Sequence, residues 1–305
     1  MNPTLARAVK ASLEASGHYL RHLRRDRFPG VAVLCYHGVR DGADADRALP
    51  FAPLHVLVAE LAAHCRVLRR ACHPIGLAEW RAAQNGGPPL PARPALVTFD
   101  DGYRSVFTLA RPILEEHAIP AVCFASTDPI ATGRLFWFDA LARTRGDAAV
   151  EALKSVPHGA WAEEVTRVSV DAAAEDPLAP LTPEEVRGLA TSADWEVGSH
   201  GASHAILARA SLDTQRDEIA RSRERLEAWT GRAITAFAYP NGRPRLDYTS
   251  ETVDLLRDAG FDVGFTTRSA FAAPGEPPLE RSRFLMLAGV SGAELAHRLC
   301  YSWRS

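Results

Sequence analysis

Residues Val97 to Tyr103 read V-T-F-D-D-G-Y. An apolar, β-branched run ending on two adjacent aspartates and a glycine reads as a buried strand that delivers carboxylates to its C-terminal end. The neighbouring runs have the same form. Val31 to Cys35 (V-A-V-L-C) leads into Tyr36-His37-Gly38, and Pro120 to Ala125 reads P-A-V-C-F-A. Pro53 to Leu68 repeats Leu57, Leu61, Cys65 and Leu68 at helical spacing, and Thr108 to His117 is a second helical stretch. Strand, helix, strand in that rhythm predicts a parallel sheet.

The rhythm resumes at Trp195 to Gly198, a strand that leads into His200. Ser211 to Trp229 is a long charged amphipathic helix stopped by Thr230-Gly231. Ile234 to Tyr239 is a strand broken at Pro240-Asn241-Gly242, Glu251 to Ala259 a helix, and Val263 to Thr267 a strand. Phe284 to Leu287 is the last strand and Gly292 to Tyr301 a closing helix. About seven strands alternating with helices predict an α/β fold, a (β/α) barrel with one element missing or distorted. Residues 127–193 interrupt the pattern with F-W-F-D-A-L (136 to 141), an acidic helical stretch near Glu163, and prolines 177 and 180. This is too long for a loop and reads as a largely helical insertion between the third and fourth strands. It closes on Thr182-Pro183-Glu184-Glu185, where Thr182 caps, Pro183 fits the first helical turn and Glu185 completes a capping box.

The 305 residues suit one such barrel, taken as residues 30–305, behind an extension of residues 1–29. A net charge of -2 gives no general pull toward nucleic acid. Five scattered cysteines form neither a disulfide framework nor a zinc ribbon, which favours a reducing compartment. The extension sets Arg7, Lys10, Arg21, Arg24, Arg25 and Arg27 among Leu5, Val9, Leu13, Leu20 and Leu23, and lacks a signal peptide's apolar core. The expectation is a cytoplasmic protein. Its basic amphipathic extension either packs on the barrel or touches the inner face of the membrane.

Nearly every chemically capable residue follows a strand: His37, Asp100, Asp101, His200 and Tyr239. In a parallel barrel those positions share one rim, where active sites are built. His200 and His204, in S-H-G-A-S-H (199 to 204), are four apart, a spacing that sends both rings from one face of a helical turn toward one ion. Backbone alternation sends the Asp100 and Asp101 carboxylates in different directions, so that one can ligate while the other acts as a general base on water. Either motif alone is weak, since Asp-Asp-Gly is often just a turn. Together, on strand ends and in this order, they imply a metal-dependent hydrolase.

Thr98 to Gly102 and Ser199 to His204 are similar to the first two motifs of the polysaccharide deacetylase family of carbohydrate esterases, and Ala238-Tyr239-Pro240-Asn241-Gly242 resembles a variant third. The resemblance runs from about Val31 to near Leu287, and it implies a distorted (β/α)7 barrel. It makes Asp100 the catalytic base, and Asp101, His200 and His204 the ligands of a divalent metal, zinc first among the choices. It also gives the backbone N–H of Tyr239 to the tetrahedral oxyanion. Two departures stand out. Ala238 occupies the place of an arginine that orients the base, and the last stretch, Leu279 to Leu287, has no histidine to serve as general acid. His37 is the first choice for that acid or for substrate binding, with a packed structural histidine as the alternative. His297 reads as structural.

Tyr103 and Arg104 lie just past the aspartates, Pro240 and Asn241 in the third motif, and Trp137 and Asp139 in the insertion; all are candidates for substrate contact, Trp137 as a sugar platform. The function expected is removal of an acetyl group from an N-acetylated amino sugar, in a cell-envelope glycan, an oligosaccharide or a lipid-linked or nucleotide-linked precursor. An O-acetyl esterase, a non-sugar amidase and a non-catalytic sugar-binding barrel are the alternatives.

Overall fold

The computed structural model describes residues 3–25, 27–42, 49–173 and 175–301. Seven parallel strands carry the fold: β1 (Ala32–Tyr36), β2 (Pro94–Phe99), β3 (Ala121–Ala125), β4 (Trp195–Ser199), β5 (Ala236–Ala238), β6 (Val263–Phe265) and β7 (Phe284–Leu285). They lie in the order β7-β1-β2-β3-β4-β5-β6, and the two-residue strand His73–Pro74 adds to the start of β2. Between β6 and the approach to β7 the ladder shrinks to one bridge, Phe265 with Arg281. The Thr266 N–H to Arg281 carbonyl bond (2.9 Å) supports it there. The sheet therefore curls into a distorted (β/α)7 barrel, as the strand rhythm predicted.

Alternation along the strands divides the apolar residues into two sets. Val33, Leu96, Val122, Phe124, Val263 and Phe265 fill the lumen. Leu34, Tyr36, Val97, Phe99 and Cys123 face outward under the helices. Gly198 on β4 leaves room for this packing, because a Cβ there would stand 2.5 Å from the Phe124 ring.

Helices α1 (Pro3–Ala15) and α2 (His18–Arg25) form the N-terminal extension, followed by α3 (Val58–Ala71) and α4 (Leu77–Gln84). The extension is two helices turning at Gly17, with Tyr19 and Leu23 buried. Leu77 and Trp80 of α4 join the lumen's apolar cluster and stop its lower end. The helix after β2 opens with a π-turn, Val106–Ala110, before α5 (Arg111–Glu116). Pro112 has no N–H to give the preceding turn, and a wider turn accommodates that gap.

The insertion contains α6 (Thr127–Thr132), α7 (Trp137–Arg145), α8 (Asp147–Leu153), α9 (His158–Val168) and α10 (Pro183–Thr191). The capping box at α10 is present: the Glu185 N–H donates to Thr182 Oγ1 (3.2 Å) and the Thr182 N–H to Glu185 Oε2 (2.8 Å). Helices α11 (Leu212–Thr230), α12 (Ser250–Asp258) and α13 (Gly292–Tyr301) complete the outer layer. The extension packs against α13 and α3, and the Tyr19 hydroxyl meets His297 Nδ1 at 3.2 Å, which gives His297 a structural role. No helix among the described residues is long and apolar enough to cross a membrane.

Candidate metal centre and catalytic site

Asp100 and Asp101 leave the end of β2, and their carboxylates diverge. Asp101 takes a positive φ of 69°, a conformation costly for a residue with a side chain, and this turns its carboxylate toward the β4 side of the rim. There its Oδ1 lies 3.4 Å from His200 Nε2 and 3.3 Å from His204 Nε2. The two imidazoles are 4.9 Å apart, centroid to centroid. All three residues are buried, and one ligand atom from each lies within 4.8 Å of the others.

The fit to a divalent ion is supported by the atoms behind these three. His200 Nδ1 is bonded to the Ala238 carbonyl at 2.7 Å, which fixes the tautomer and leaves Nε2 as the free ligand atom. One carboxylate and two imidazoles are a borderline donor set that suits zinc and leaves further coordination positions open. Burial opposes the charge on Asp101, yet hydrogen bonds from His200 and His204 hold its carboxyl well below the usual range.

The histidine spacing has a different origin from the helical turn its four-residue interval predicted. Residues 200–204 form a loop, with Gly201 at φ 77° and His204 at φ 60°. Glu218 of α11 braces it: its carboxylate accepts from the N–H groups of Ala202 (3.1 Å) and Ser203 (2.9 Å) and from the Ser203 hydroxyl (2.8 Å). Pro240 backs the same loop, with its ring 3.7 Å from where a Cβ on Gly201 would stand. Pro240 is buried and does not line the cavity, so it supports ligands and does not meet substrate.

Asp100 turns the other way, into the top of the lumen. Arg283, immediately before β7, is fully buried and reaches it in a bidentate pair, with Nη1 to Oδ1 and Nη2 to Oδ2 both at 2.7 Å. Arg283 Nε donates to the Thr266 carbonyl at 2.9 Å, and its guanidinium lies between the rings of Phe124 (5.9 Å) and Phe265 (5.8 Å). A base-orienting arginine, absent at Ala238 on β5, is thus supplied from the approach to β7, two strands from β2 on its other flank. Only the L-E-R-S-R-F run pointed to it, and that stretch drew attention for the histidine it lacks. Burial alone would raise the Asp100 pKa, but Arg283 and His200 outweigh it and keep the carboxyl below its ordinary value.

His37 lines the same cavity, and its ring lies within 4.8 Å of the Asp100 carboxylate and of Cys35 Sγ. Its backbone is set by the next residue: a Cβ at Gly38 would fall 2.1 Å from His55 Nδ1. His55 packs there and is buried, which, with the nearby His37, lowers its pKa to about 3.

Several expectations for substrate contact are corrected. The Tyr239 N–H is committed to the Phe265 carbonyl (3.1 Å) in the β5–β6 ladder, so it is not available to an oxyanion, although the residue lines the cavity. Asn241, at φ 58°, and Thr267 are the polar groups beside it on that wall. Tyr103 is buried and donates its hydroxyl to Asp139 (2.8 Å), whose burial pushes the carboxyl well above its usual range. The pair ties the insertion to the barrel. Arg104 pairs with Glu185. Trp137 is buried, outside the cavity, and its Nε1 donates to the His204 carbonyl (3.2 Å), so it backs a metal ligand and is not a sugar platform. The aromatic wall is made by the next residue, Phe138, whose ring lies 4.9 Å from that of His204, and by Phe51 across from it. The F-W-F-D run carried this signal one position away from the residue read.

A family model for polysaccharide deacetylase matches residues 87–264, more than half of the chain. The chain belongs to the polysaccharide deacetylase family. A poly-beta-1,6-N-acetyl-D-glucosamine N-deacetylase of Escherichia coli (strain K12) is 35% identical over 94 residues, which are 30% of this chain and 13% of that protein. The chain therefore spans only a small part of that relative. Among solved structures, the Streptococcus pyogenes deacetylase PplD in complex with acetate superposes with a TM-score of 0.63 at 19% identity, covering 88% of this chain and 98% of that one. IcaB from Ammonifex degensii does so with a TM-score of 0.61 at 24% identity, covering 89% and 97%. Both share the fold.

Arg283→Gln removes the charge that keeps Asp100 ionised. Because the Asp100 pKa is depressed in the folded protein, the acid limb of the kcat/KM–pH profile should move to higher pH in this variant. Stability should fall by about 3–5 kcal/mol in urea titration, since a buried carboxylate loses its partner. An unmoved acid limb would show that Arg283 does not set the base.

Proposed function

We propose that this protein is a metal-dependent hydrolase that removes the acetyl group from an N-acetylated amino sugar of a glycan or its precursor. One observation carries this reading: in a single cavity, a carboxylate and two imidazoles face each other at ligand distance, while a second carboxylate, oriented by a buried arginine, stands beside them. A sugar-binding barrel has no use for an oriented, ionised Asp100. The family relationship supports the amide bond over an ester or a non-sugar amide.

Asp101, His200 and His204 would hold the metal, and zinc fits these donors best. When bound, it supplies Lewis acidity to the acetamide carbonyl and to the attacking water. Asp100 accepts a proton from that water through Oδ1, which keeps a lone pair beyond the one used by Arg283, whereas Oδ2 accepts from both Arg283 and the Cys35 thiol. The ion pair lowers its basicity, but keeps it ionised and aimed. The water oxygen bonds to the carbonyl carbon, the C–N bond breaks, and His37 gives a proton to the departing nitrogen, releasing acetate and an amine. With the Tyr239 N–H committed elsewhere, Asn241 is the polar group on the oxyanion side of the cavity.

The metal-loaded protein should release acetate from N-acetylated amino sugars or their oligomers. Asp100→Asn should keep its metal by elemental analysis and lose about 10²–10⁴ in turnover, the usual worth of a general base. Near-normal turnover by this variant rules Asp100 out as the base.

His37→Gln should suppress amide hydrolysis far more than hydrolysis of an activated aryl acetate, whose leaving group needs no proton. Equal losses on both substrates would make His37 a positioning residue and leave the acid role to water or a substrate hydroxyl.

The reading includes a cytoplasmic site of action against the inner membrane face. Its support is α1, which leaves Leu5 (57% exposed) and Val9 (43%) in solvent one turn apart, in the same extension as the exposed arginines of α2. The protein should sediment with vesicles of anionic lipid and lose this on Leu5→Ser/Val9→Ser substitution. Equal recovery with anionic and with neutral vesicles would count against the contact.

A further inference from the structure

The wall facing the catalytic rim carries a charge that the hydrolysis does not use. Among the described residues lining the cavity, Lys154 is the only lysine or arginine. It caps the end of α8, inside the insertion, and its side chain is only 19% exposed. Its Nζ stands over the Phe51 ring, 5.6 Å from the centroid. Its ion-pair partner is Glu151, one turn back on the same helix, at 2.7 Å and 60% exposed. A lysine that needed only such a partner could sit in solvent, as surface lysines do, and avoid the cost of partial desolvation. Here the charge is drawn in against an aromatic face, where a cation–π contact holds it.

Phe51 itself is held at a cost. It adopts the left-handed conformation (φ 45°, ψ 37°), which is rare for a bulky side chain and accumulates at sites that bind. That backbone places its ring edge-on to Phe138, 6.4 Å away, and Phe138 in turn packs on the ligand His204. The cavity thus runs from the metal ligands, past Phe138 and Phe51, to one ammonium. A neutral acetamido sugar can offer this ammonium hydroxyl and carbonyl oxygens but no countercharge.

We propose that Lys154 recognises an anionic group carried by the substrate beside its acetamido ring, so that the preferred substrate is an acidic N-acetylated sugar. This rests on the hydrolase reading above and specifies its substrate class. The anion is a phosphate on the sugar, as in a phosphate-linked precursor, or a carboxylate on the sugar, as in an acidic glycan. Either pairs with Lys154 after displacing the exposed Glu151 carboxylate.

Calorimetric titration tests this without turnover, using N-acetylglucosamine, N-acetylglucosamine 1-phosphate and N-acetylmuramic acid as probes. At least one of the two acidic sugars should bind about tenfold more tightly than the neutral one, the worth of one charge-assisted hydrogen bond. The phosphate and carboxylate arms distinguish the two sources. Lys154→Gln should abolish the preference, Lys154→Arg should keep it, and Glu151→Gln should strengthen it by removing the competing carboxylate. A merely structural lysine would give no gain in the Glu151 variant. No measurable advantage for either acidic sugar overturns the proposal, as does a preference that survives in Lys154→Gln, which would place the anion on the metal. Failure to release acetate from any sugar, with the binding preference intact, would instead count against the hydrolase reading alone.

Discussion

The bidentate pair between Arg283 and Asp100 governs the upper half of this barrel. A guanidinium with no exposed surface is tolerable only if its donors are met and its charge is balanced. The Asp100 carboxylate, Thr98 Oγ1 and the Thr266 carbonyl meet them, and Phe124 and Phe265 cover its faces. The pair also joins the last strand to the second across the lumen, where the sheet's own closure is reduced to a single bridge. A buried ion pair often adds little stability over an apolar filling. In the function proposed above its value is catalytic: the pair keeps the Asp100 carboxylate ionised, aimed and unable to rotate away.

Around that pair, the rim is built from backbone that most residues avoid. Asp101, His204 and Asn241 all have positive φ, and each lies next to or near a glycine of the same kind: Gly102, Gly201 and Gly242. Strain at these points must be offset elsewhere. Glu218 offsets it for the 200–204 loop by accepting three hydrogen bonds on its buried carboxylate, whose pKa burial raises despite the donors of Ser203. Packing on Pro240 and the Trp137–His204 bond add to this. The geometry of the candidate ligands is thus fixed by groups outside the Asp101, His200 and His204 cluster.

What was legible in the sequence, and what was not, follows from the distance over which each feature is determined. Strand ends and their residues are local. V-T-F-D-D-G announced both its strand and its carboxylates, S-H-G-A-S-H its ligands, and C-Y-H-G placed His37 on the right rim. The compensating arginine was not local: Asp100 and Arg283 are 183 residues apart in sequence and meet only because the end of β2 and the approach to β7 border one lumen. The helical reading of His200 and His204 failed because spacing fits a turn and a braced loop equally, and Glu218 lies a helix away. Trp137 and Phe138 exchanged roles because an aromatic cluster in an insertion has no strand register to say which ring faces the cavity. Tyr239 kept its place on the rim, but only the β5–β6 ladder revealed that its N–H was already taken.

The insertion is where these lines converge. Helix α7 contributes Asp139, which holds Tyr103 beside the aspartates; Trp137, which fastens the His204 backbone; and Phe138, which packs on the His204 ring. The short helix after it ends at Lys154. A segment outside the barrel's regular alternation thus both stiffens a metal ligand and forms the wall against which a substrate must fit. The two tasks are mechanically linked, because Phe138 belongs to both. Change in this wall is therefore constrained on the side nearest His204 and freer toward Phe51 and Lys154. Under the proposed function, selectivity among N-acetylated sugars would be set at that far end, and the chemistry at the strand ends.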